Sequence, residues 1–429
     1  MRRFSFIHAS DLHLGAPLHG FSIKRSGLAK ELKDLPARAF ADLVDEALRR
    51  RVAFVLLSGD IFDSQKPSPA TFLAFFRQLK RLLSEDIGVF MVCGNHDPLG
   101  SWPDAIELPE GAYLFRADGW SSVDISMAGS HICSIYGHSF MKQAETRNLV
   151  SLLNFHRNES PDPDGPFRIA LLHTNVGERP GHAVYAPCQL QDLLDQPIDY
   201  WALGHVHSPI VLHQSPHVVY PGILQPRNFS ETGPRGCYLV EVQGRAVHNL
   251  EFLPLARGIF MQDELEISGM ESLSSLEETL FQRLEHLGSE AEWGSLLLAR
   301  IRLLGHTHLA GQLTDATVEQ GLIDDLNSAL EGAGSKVILA SLENRTVPEI
   351  DIESRARVDD LLGFALRERE RLLSGEEGFR ELDRILVPLF QNQRFKSLLN
   401  PPDRAELQDL LDKAAGLAAW KLEQDEPGE

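Results

Sequence analysis

At 429 residues, with 43% apolar content and no low-complexity tract, the chain can bury large cores, which excludes a disordered segment as its main state. A formal charge of −20 excludes a generally basic nucleic-acid coat, yet leaves room for cations held in an acidic site that meet phosphates directly. Cys93, Cys133, Cys188 and Cys237 lie far apart without a CxxC pair, so neither a zinc finger nor a disulfide framework is expected, and a reducing cytoplasm suits four free thiols. The apolar run after Arg2-Arg3 is too short for a signal peptide and is interrupted by His8 and Asp11; nothing approaches a membrane span.

Phe4 to Ala9 reads as a first strand, followed at once by Asp11-Leu12-His13. Alternation in that short loop lets a carboxylate and an imidazole point the same way, although an isolated DxH is as well explained by a solvated loop. Leu35 to Arg51 has helical spacing and leads into Ala53 to Leu57, the pattern of a fully buried parallel strand. Gly59 permits a sharp turn, so Asp60 projects from the strand's carboxyl end, with Asp63 close behind. Pro67-Ser68-Pro69 opens a second helix whose Phe72, Phe75, Phe76 and Leu79 belong to a core. A third strand, Val89 to Cys93, ends in Gly94-Asn95-His96-Asp97.

Short strands are expected at Tyr113 to Phe115 and Ile132 to Tyr136, and a helix near Arg147 to Phe155. Arg168 to Leu172 delivers His173, and Tyr200 to Leu203 delivers Gly204-His205-Val206-His207. Five strand ends thus offer Asp11, His13, Asp60, Asn95, His173, His205 and His207. That mixture suits two divalent cations with a bridging carboxylate, Asp60 being the natural bridge, and favours manganese, iron or zinc over magnesium. Two such ions can hold a phosphate and generate hydroxide from water. His96 is placed to help the leaving oxygen, with Asp97 expected to orient its ring from behind. His8, His19, His131, His138 and His156 have no spacing that recommends them and read as structural or exposed. Gly305-His306-Thr307-His308 imitates Gly204 to His207 but has no DxH or GNH nearby, and metal binding is not expected there.

In this order DLHLG, GDIFD, GNHD, His173 and GHVH resemble the calcineurin-like metallophosphoesterase superfamily. The run Gly59 to Pro69, followed by an aromatic-rich helix, and Tyr200 to His207 with Tyr220-Pro221-Gly222 beyond, are more narrowly similar to the Mre11/SbcD nucleases, in their bacterial YhaO-type branch. The resemblance implies an α/β two-sheet sandwich flanked by helices, strong over Met1 to Leu253. It implies one metal site of Asp11, His13, Asp60 and His207 and another of Asp60, Asn95, His173 and His205, with manganese as the usual ion. His96 takes the catalytic histidine role; Asp63 stands where relatives carry histidine or aspartate, and orienting a neighbour or capping a helix is favoured over direct chemistry. The implied activity is phosphodiester cleavage in DNA, as an exonuclease with single-strand endonuclease activity; the alternative is a small-molecule phosphoesterase of the same superfamily.

The expected domains are a catalytic 1–254, an α/β capping domain 258–350 and a helical region 351–429. The strands Gly236 to Val242 and Val247 to Phe252 should close the sandwich. Strand and helix then alternate from Phe260 to Leu342. Val358, Leu361, Leu362, Ala365 and Leu366 form one apolar stripe; Leu407, Leu410, Leu411, Ala414 and Leu417 form another. Pro388 should kink or end the helix around Leu382 to Phe390. These helices either pack on the chain itself or, as the resemblance implies, dock a Rad50/SbcC-like ATPase; a homodimer is the other association it allows, and no membrane is involved.

Overall fold

The computed structural model describes residues 3–17, 32–102, 107–127, 129–153, 165–177, 184–290, 296–349 and 352–391, with scattered positions between 402 and 418. The chain divides into two compact units: Met1–Met261 with Trp293–Leu298, and Gln262–Glu292 with Ala299–Glu429.

The first unit is a sandwich of two six-stranded sheets. Its strands are β1 (Arg3–Ala9), β2 (Phe54–Ser58), β3 (Gly88–Val92), β4 (Ala112–Leu114), β5 (Ser121–Met127), β6 (Ser130–His138), β7 (Phe167–His173), β8 (Tyr200–Gly204), β9 (Ile210–Gln214), β10 (His217–Tyr220), β11 (Gly236–Gln243) and β12 (Ala246–Pro254). One sheet has the order β12-β11-β1-β2-β3-β4 and the other β5-β6-β7-β8-β10-β9. β1, β2 and β3 are mutually parallel, as are β6, β7 and β8, so within each set the carboxyl ends share an edge.

These strands read as unbroken apolar runs because both of their faces are covered. Phe4, Phe6, Phe54, Leu56 and Phe90 turn toward Phe167, Ile169, Leu171 and Tyr200 of the other sheet. Phe6 stacks on Phe54 with ring centroids 5.2 Å apart and meets Tyr200 edge-on at 5.3 Å. The alternate residues Ile7, Ala9, Val55, Leu57, Val89 and Met91 face the helices α1 (Leu35–Arg50) and α2 (Pro69–Leu83), which contribute Phe40, Leu43, Val44, Phe75 and Leu79. Truncating one of these aromatics to alanine costs about 3–5 kcal/mol in a core that cannot collapse around the gap.

Several expectations are corrected. In place of the helix near Arg147 to Phe155 there is a single 3-10 turn, Val150–Leu152, whose buried Leu149, Val150 and Leu153 pack under an irregular segment; Phe155 lies outside the described residues. β5, β9 and β10 had no expected counterpart, and β5 and β9 are only partly buried. All four cysteines are free and buried.

Further along the chain, the strands Gly258–Glu266, Leu296–Leu304 and Val337–Asn344 pair in that order into a three-stranded sheet and alternate with the helices Leu273–Glu290 and Ala316–Gly332, as expected. Beyond it come the helices Leu361–Leu373 and Gly375–Gln391; the latter runs through Pro388 and ends shortly after it. The stripe on Leu361–Leu373 is split: Leu362 and Leu366 are buried, with Ala415 and Ala418 against them, while Val358, Leu361, Phe364 and Ala365 are exposed. Leu407 is buried and Leu410 exposed, whereas Leu417 lies outside the described residues. Among the described residues no helix is long and apolar enough to cross a membrane.

His8 ties the two sheets together. Ser58 Oγ donates to Ala202 O (2.9 Å), so it accepts from His8 Nε2 (3.1 Å), and His8 Nδ1 accepts from the Tyr200 hydroxyl (3.0 Å). This satisfies the neutral imidazole completely, and burial pushes its pKa down from 6.5 to about 3. The unfolded chain therefore takes up a proton below pH 6.5 that the folded chain refuses, and stability falls as pH drops from 6.5 towards 3. At about 1.4 kcal/mol per pH unit the whole window is worth several kcal/mol. Urea unfolding at pH 7, 5.5 and 4 in chelator should show a shallower loss for His8→Gln than for the parent; parallel losses would show that His8 does not titrate on unfolding.

Candidate metal centre

The carboxyl ends of β1, β2, β3, β7 and β8 bring together the residues the sequence singled out. Beyond the last sheet bonds, Asp11 N donates to Gly59 O (3.0 Å), His13 N to Asp60 O (3.0 Å) and Leu14 N to Ile61 O (2.9 Å). The first two loops thus run side by side, and Asp11, His13 and Asp60 become neighbours although they are far apart in sequence.

Asp60 Oδ2 lies between two imidazoles, 3.8 Å from His13 Nε2 and 3.4 Å from His173 Nε2. Asp11 Oδ1 is 3.9 Å from His13 Nε2 and 3.7 Å from His207 Nε2. Asn95 Oδ1 is 3.1 Å from His173 Nε2, and the His205 ring stands 5.1 Å from that of His173 with Tyr185 5.5 Å away. Donor atoms of Asp11, His13 and His207, and those of Asp11, Asp60 and His173, cluster closely enough to share a cation. Asp11 Oδ1 and both ring nitrogens of His13 are buried without a hydrogen-bond partner. Orphaned buried polar atoms cost free energy, and carboxylate, amide and imidazole donors converging on one space are what divalent transition ions require. The residues present fit such ions.

The backbone is strained to achieve this. Of the seven non-glycine residues with positive φ among the described residues, four are Asp11 (51°), His13 (43°), Asp60 (50°) and His205 (101°). Gly59 is itself at 92°, and a Cβ there would run into the His173 ring. At Gly94 a Cβ would meet Asp60 Oδ1 and its backbone nitrogen, so the loop after β3 can pass this close only as glycine.

Hydrogen bonds set the ring orientations. His173 Nδ1 donates to Ser58 O (3.0 Å) and His207 Nδ1 to Glu231 Oε1 (2.6 Å), which turns each Nε2 inward. His13 Nδ1 lies 3.1 Å from Asp63 Oδ1. Burial opposes charge throughout. It pulls His13 down, but at His173 it is outweighed by the Asp60 carboxylate, and that imidazole rises to about 9. Burial also opposes ionisation of Asp60, yet His173 and His13 hold it far below the usual carboxylate range. Asp63, facing His13 and Arg227, and Glu231, facing His207, are likewise held low against burial. Burial and the charge of Asp60 push Asp97 up to about 8.

Asp97 does not stand behind His96 as expected. Its carboxylate accepts from the backbone nitrogens of Ile61 (2.9 Å), Phe62 (3.2 Å) and Gly94 (3.0 Å), fastening the loops after β2 and β3 to each other. The group beside His96 Nδ1 is Asp63, through its carbonyl at 3.1 Å and its carboxylate at 3.6 Å. Arg227 and Glu231 were missed: Asp63 lies 164 residues from Arg227 and His207 lies 24 residues from Glu231, and the signal in the sequence was a charged pair around Phe229 after Pro221-Gly222. His131 and His138 bond to Ser134 and to the Ser139 carbonyl in β6 and just beyond it. His306 and His308 are exposed in the second unit, the latter 3.7 Å from Glu349; His19 and His156 lie outside the described residues.

A family model described as calcineurin-like phosphoesterase matches residues 4–209. The chain is 34% identical over 290 residues to the metallophosphoesterase YhaO of Bacillus subtilis (strain 168), covering 66% of this chain and 69% of that one. The chain belongs to the calcineurin-like metallophosphoesterases. A second model, the middle domain of metallophosphoesterase YhaO, matches residues 260–347. The chain is also similar to the DNA double-strand break repair protein Mre11 of Methanocaldococcus jannaschii, 27% identical over 211 residues, covering 48% of this chain and 52% of that one. To Mre11 of Sulfurisphaera tokodaii it is 26% identical over 212 residues, 48% of this chain and 50% of that one, so it spans about half the length of these relatives. Among solved structures it is similar to a Thermus thermophilus protein, with 14% identity and a TM-score of 0.36 over 59% of this chain and all of that one, too slight a likeness to add to the fold described.

As a metallophosphoesterase, the chain should hydrolyse a chromogenic phosphoester in a chelator-sensitive manner. Gly94→Ala should lower that rate about 100-fold by displacing Asp60, since an ångström of misplacement is worth that much. Circular dichroism should be unchanged; an undiminished rate would mean that Asp60 has room to spare.

Proposed function

We propose that this metallophosphoesterase cleaves phosphodiester bonds in DNA, as an exonuclease with single-strand endonuclease activity. Two ions are held in this reading, one by Asp11, His13, Asp60 and His207 and the other by Asp60, Asn95, His173 and His205, with Asp60 shared and manganese the working metal. When bound, the pair supplies Lewis acidity to the phosphoryl oxygens and a hydroxide at neutral pH.

The observation that carries the reading is His96. Of the candidate ligands around it six are buried and His207 is 20% exposed, whereas its own side chain is 37% exposed, and its ring packs edge-on against that of His13 with centroids 4.7 Å apart. Because Asp63 O can only accept, His96 Nδ1 is a donor, and Nε2 is the ring nitrogen left to face the leaving sugar oxygen. Asp63 fixes that ring, and Asp97 keeps the two loops that carry Asp60 and Asn95 at a constant separation. DNA is favoured over small phosphoesters by the likeness to the Mre11 proteins and by the second unit with its YhaO-type middle domain.

The division into a catalytic 1–254, a capping 258–350 and a helical 351–429 belongs to the same proposal, as does a cytoplasmic location. So does docking of a Rad50/SbcC-like ATPase on the helical region, where Val358, Leu361, Phe364 and Ile385 are exposed.

The test compares manganese-dependent cleavage of end-labelled duplex DNA, single-stranded DNA and a chromogenic phosphodiester. Degradation of DNA supports the proposal; cleavage of the small ester alone, with DNA untouched even when the ATPase is added, overturns it. His96→Ala should lose about 100- to 10,000-fold in rate while manganese binding measured by calorimetry is kept. Equal loss of binding would make His96 a ligand instead.

A further inference from the structure

The imidazoles His13 and His207 share a common origin for their orientation. His207 Nδ1 is 2.6 Å from Glu231 Oε1; an ionised carboxylate only accepts, so Nδ1 carries a proton and Nε2 is turned toward Asp11 Oδ1 at 3.7 Å. Four residues earlier, Arg227 donates its backbone N–H to Glu231 Oε2 (2.6 Å) and its Nη1 to Asp63 Oδ1 (2.7 Å). The same Asp63 oxygen faces His13 Nδ1 as an ion-pair contact at 3.1 Å without a formed hydrogen bond, on the ring edge away from the Nε2 that faces Asp60 and Asp11. One turn, Arg227 to Glu231, thus reaches both rings, by a direct hydrogen bond to one and through the Asp63 contact to the other. His173 depends instead on the Ser58 carbonyl, and Asn95 makes no bond to the turn.

The turn is built to be stiff. Glu231 N donates to Asn228 O (3.1 Å) and Ser230 N to Asn228 Oδ1 (2.8 Å). Phe229 is buried edge-on against Phe260 at 5.0 Å, and Gln225 just ahead receives the backbone nitrogens of Arg257 (2.8 Å) and Gly258 (3.1 Å) while donating to Gly258 O (2.8 Å). An orienting carboxylate on a ring nitrogen raises ligand basicity and fixes the tautomer, and its removal typically costs 10- to 100-fold in metal affinity.

We propose that Glu231 and Arg227 are positioning residues for one of the two ions, the one proposed for Asp11, His13 and His207, and leave the ion proposed for Asn95 and His173 unaffected. The inference rests on the dinuclear reading above. Calorimetric titration of chelator-stripped full-length protein with Mn2+ tests both, alongside thermal melting. If the parent does not take up two ions, the dinuclear reading fails and this inference with it. If it does, Glu231→Ala should weaken one binding event 10- to 100-fold and leave the other within about twofold. Glu231→Gln, whose amide oxygen still accepts from His207 Nδ1, should recover most of that loss. Two events of unchanged affinity in Glu231→Ala overturn the inference and leave the dinuclear reading standing. Equal weakening of both events, or a Glu231→Gln as impaired as Glu231→Ala, overturns it too, because a general loss of structure would then explain the effect.

Discussion

Asp60 is a buried, ionised carboxylate with its Oδ2 between His13 and His173 and its Oδ1 accepting the backbone N–H of His96 at 2.8 Å. Taking such a charge out of water costs several kcal/mol unless partners surround it on every side. The partners come from the loops after β1 and β3 and from the last residue of β7, so the carboxyl ends of strands in both sheets must meet above one point. Parallel order within β1-β2-β3 and β6-β7-β8 achieves this, and the left-handed backbone at Asp11, His13 and Asp60 brings the side chains inward. The strain is concentrated where function needs it, while the hydrophobic layers on either face of each sheet supply the stability that tolerates it.

His8 and Ser58 show how closely the core and the centre are joined. Ser58 Oγ takes part in the buried network of His8 and Tyr200, and Ser58 O, on the same residue, receives His173 Nδ1. The last residue of β2 therefore sits in two networks, one holding the sheets together and one aiming a candidate ligand. A substitution there would disturb fold and site at once, whereas Glu231 and Arg227 act from a loop outside the sheets.

The strands that deliver ligands were legible because burial on both faces leaves continuous apolar runs ending abruptly in glycine and polar residues. That signal fails where burial is partial. β5 (Ser121–Met127) and β9 (Ile210–Gln214) expose much of one face, and their sequences carry serine, aspartate, histidine and glutamine where an inner strand has valine or leucine. The converse error occurred at Leu149, Val150 and Leu153, whose spacing mimics a helix face but which bury themselves in the second sheet's core around a single 3-10 turn. Adjacency in sequence misled at Asp97: it follows His96, but its short side chain folds back onto the backbone of Gly94, Ile61 and Phe62, and the chain brings Asp63 to His96 instead. Glu231 had no spacing to betray it, since its relation to His207 exists only once β8 and the turn after Pro221-Gly222 are folded.

The paired motifs GHVH and GHTH show what spacing alone contributes. Both follow a strand, and each contains a residue at φ 101°, His205 in one and Gly305 in the other. In the first, glycine leaves the strand and the unusual backbone falls on the histidine, whose nitrogen is bonded to Asp11 Oδ2 at 3.0 Å. In the second the glycine itself absorbs the turn, the next residue bonds to Ser268, and His308 reaches only Glu349. A one-residue displacement of the left-handed position accompanies the change from an inward candidate ligand to an exposed side chain. The chemistry of such a motif is therefore set by where the positive φ falls and by which carboxylates the neighbouring loops bring to it, and in this chain only the first copy meets both conditions.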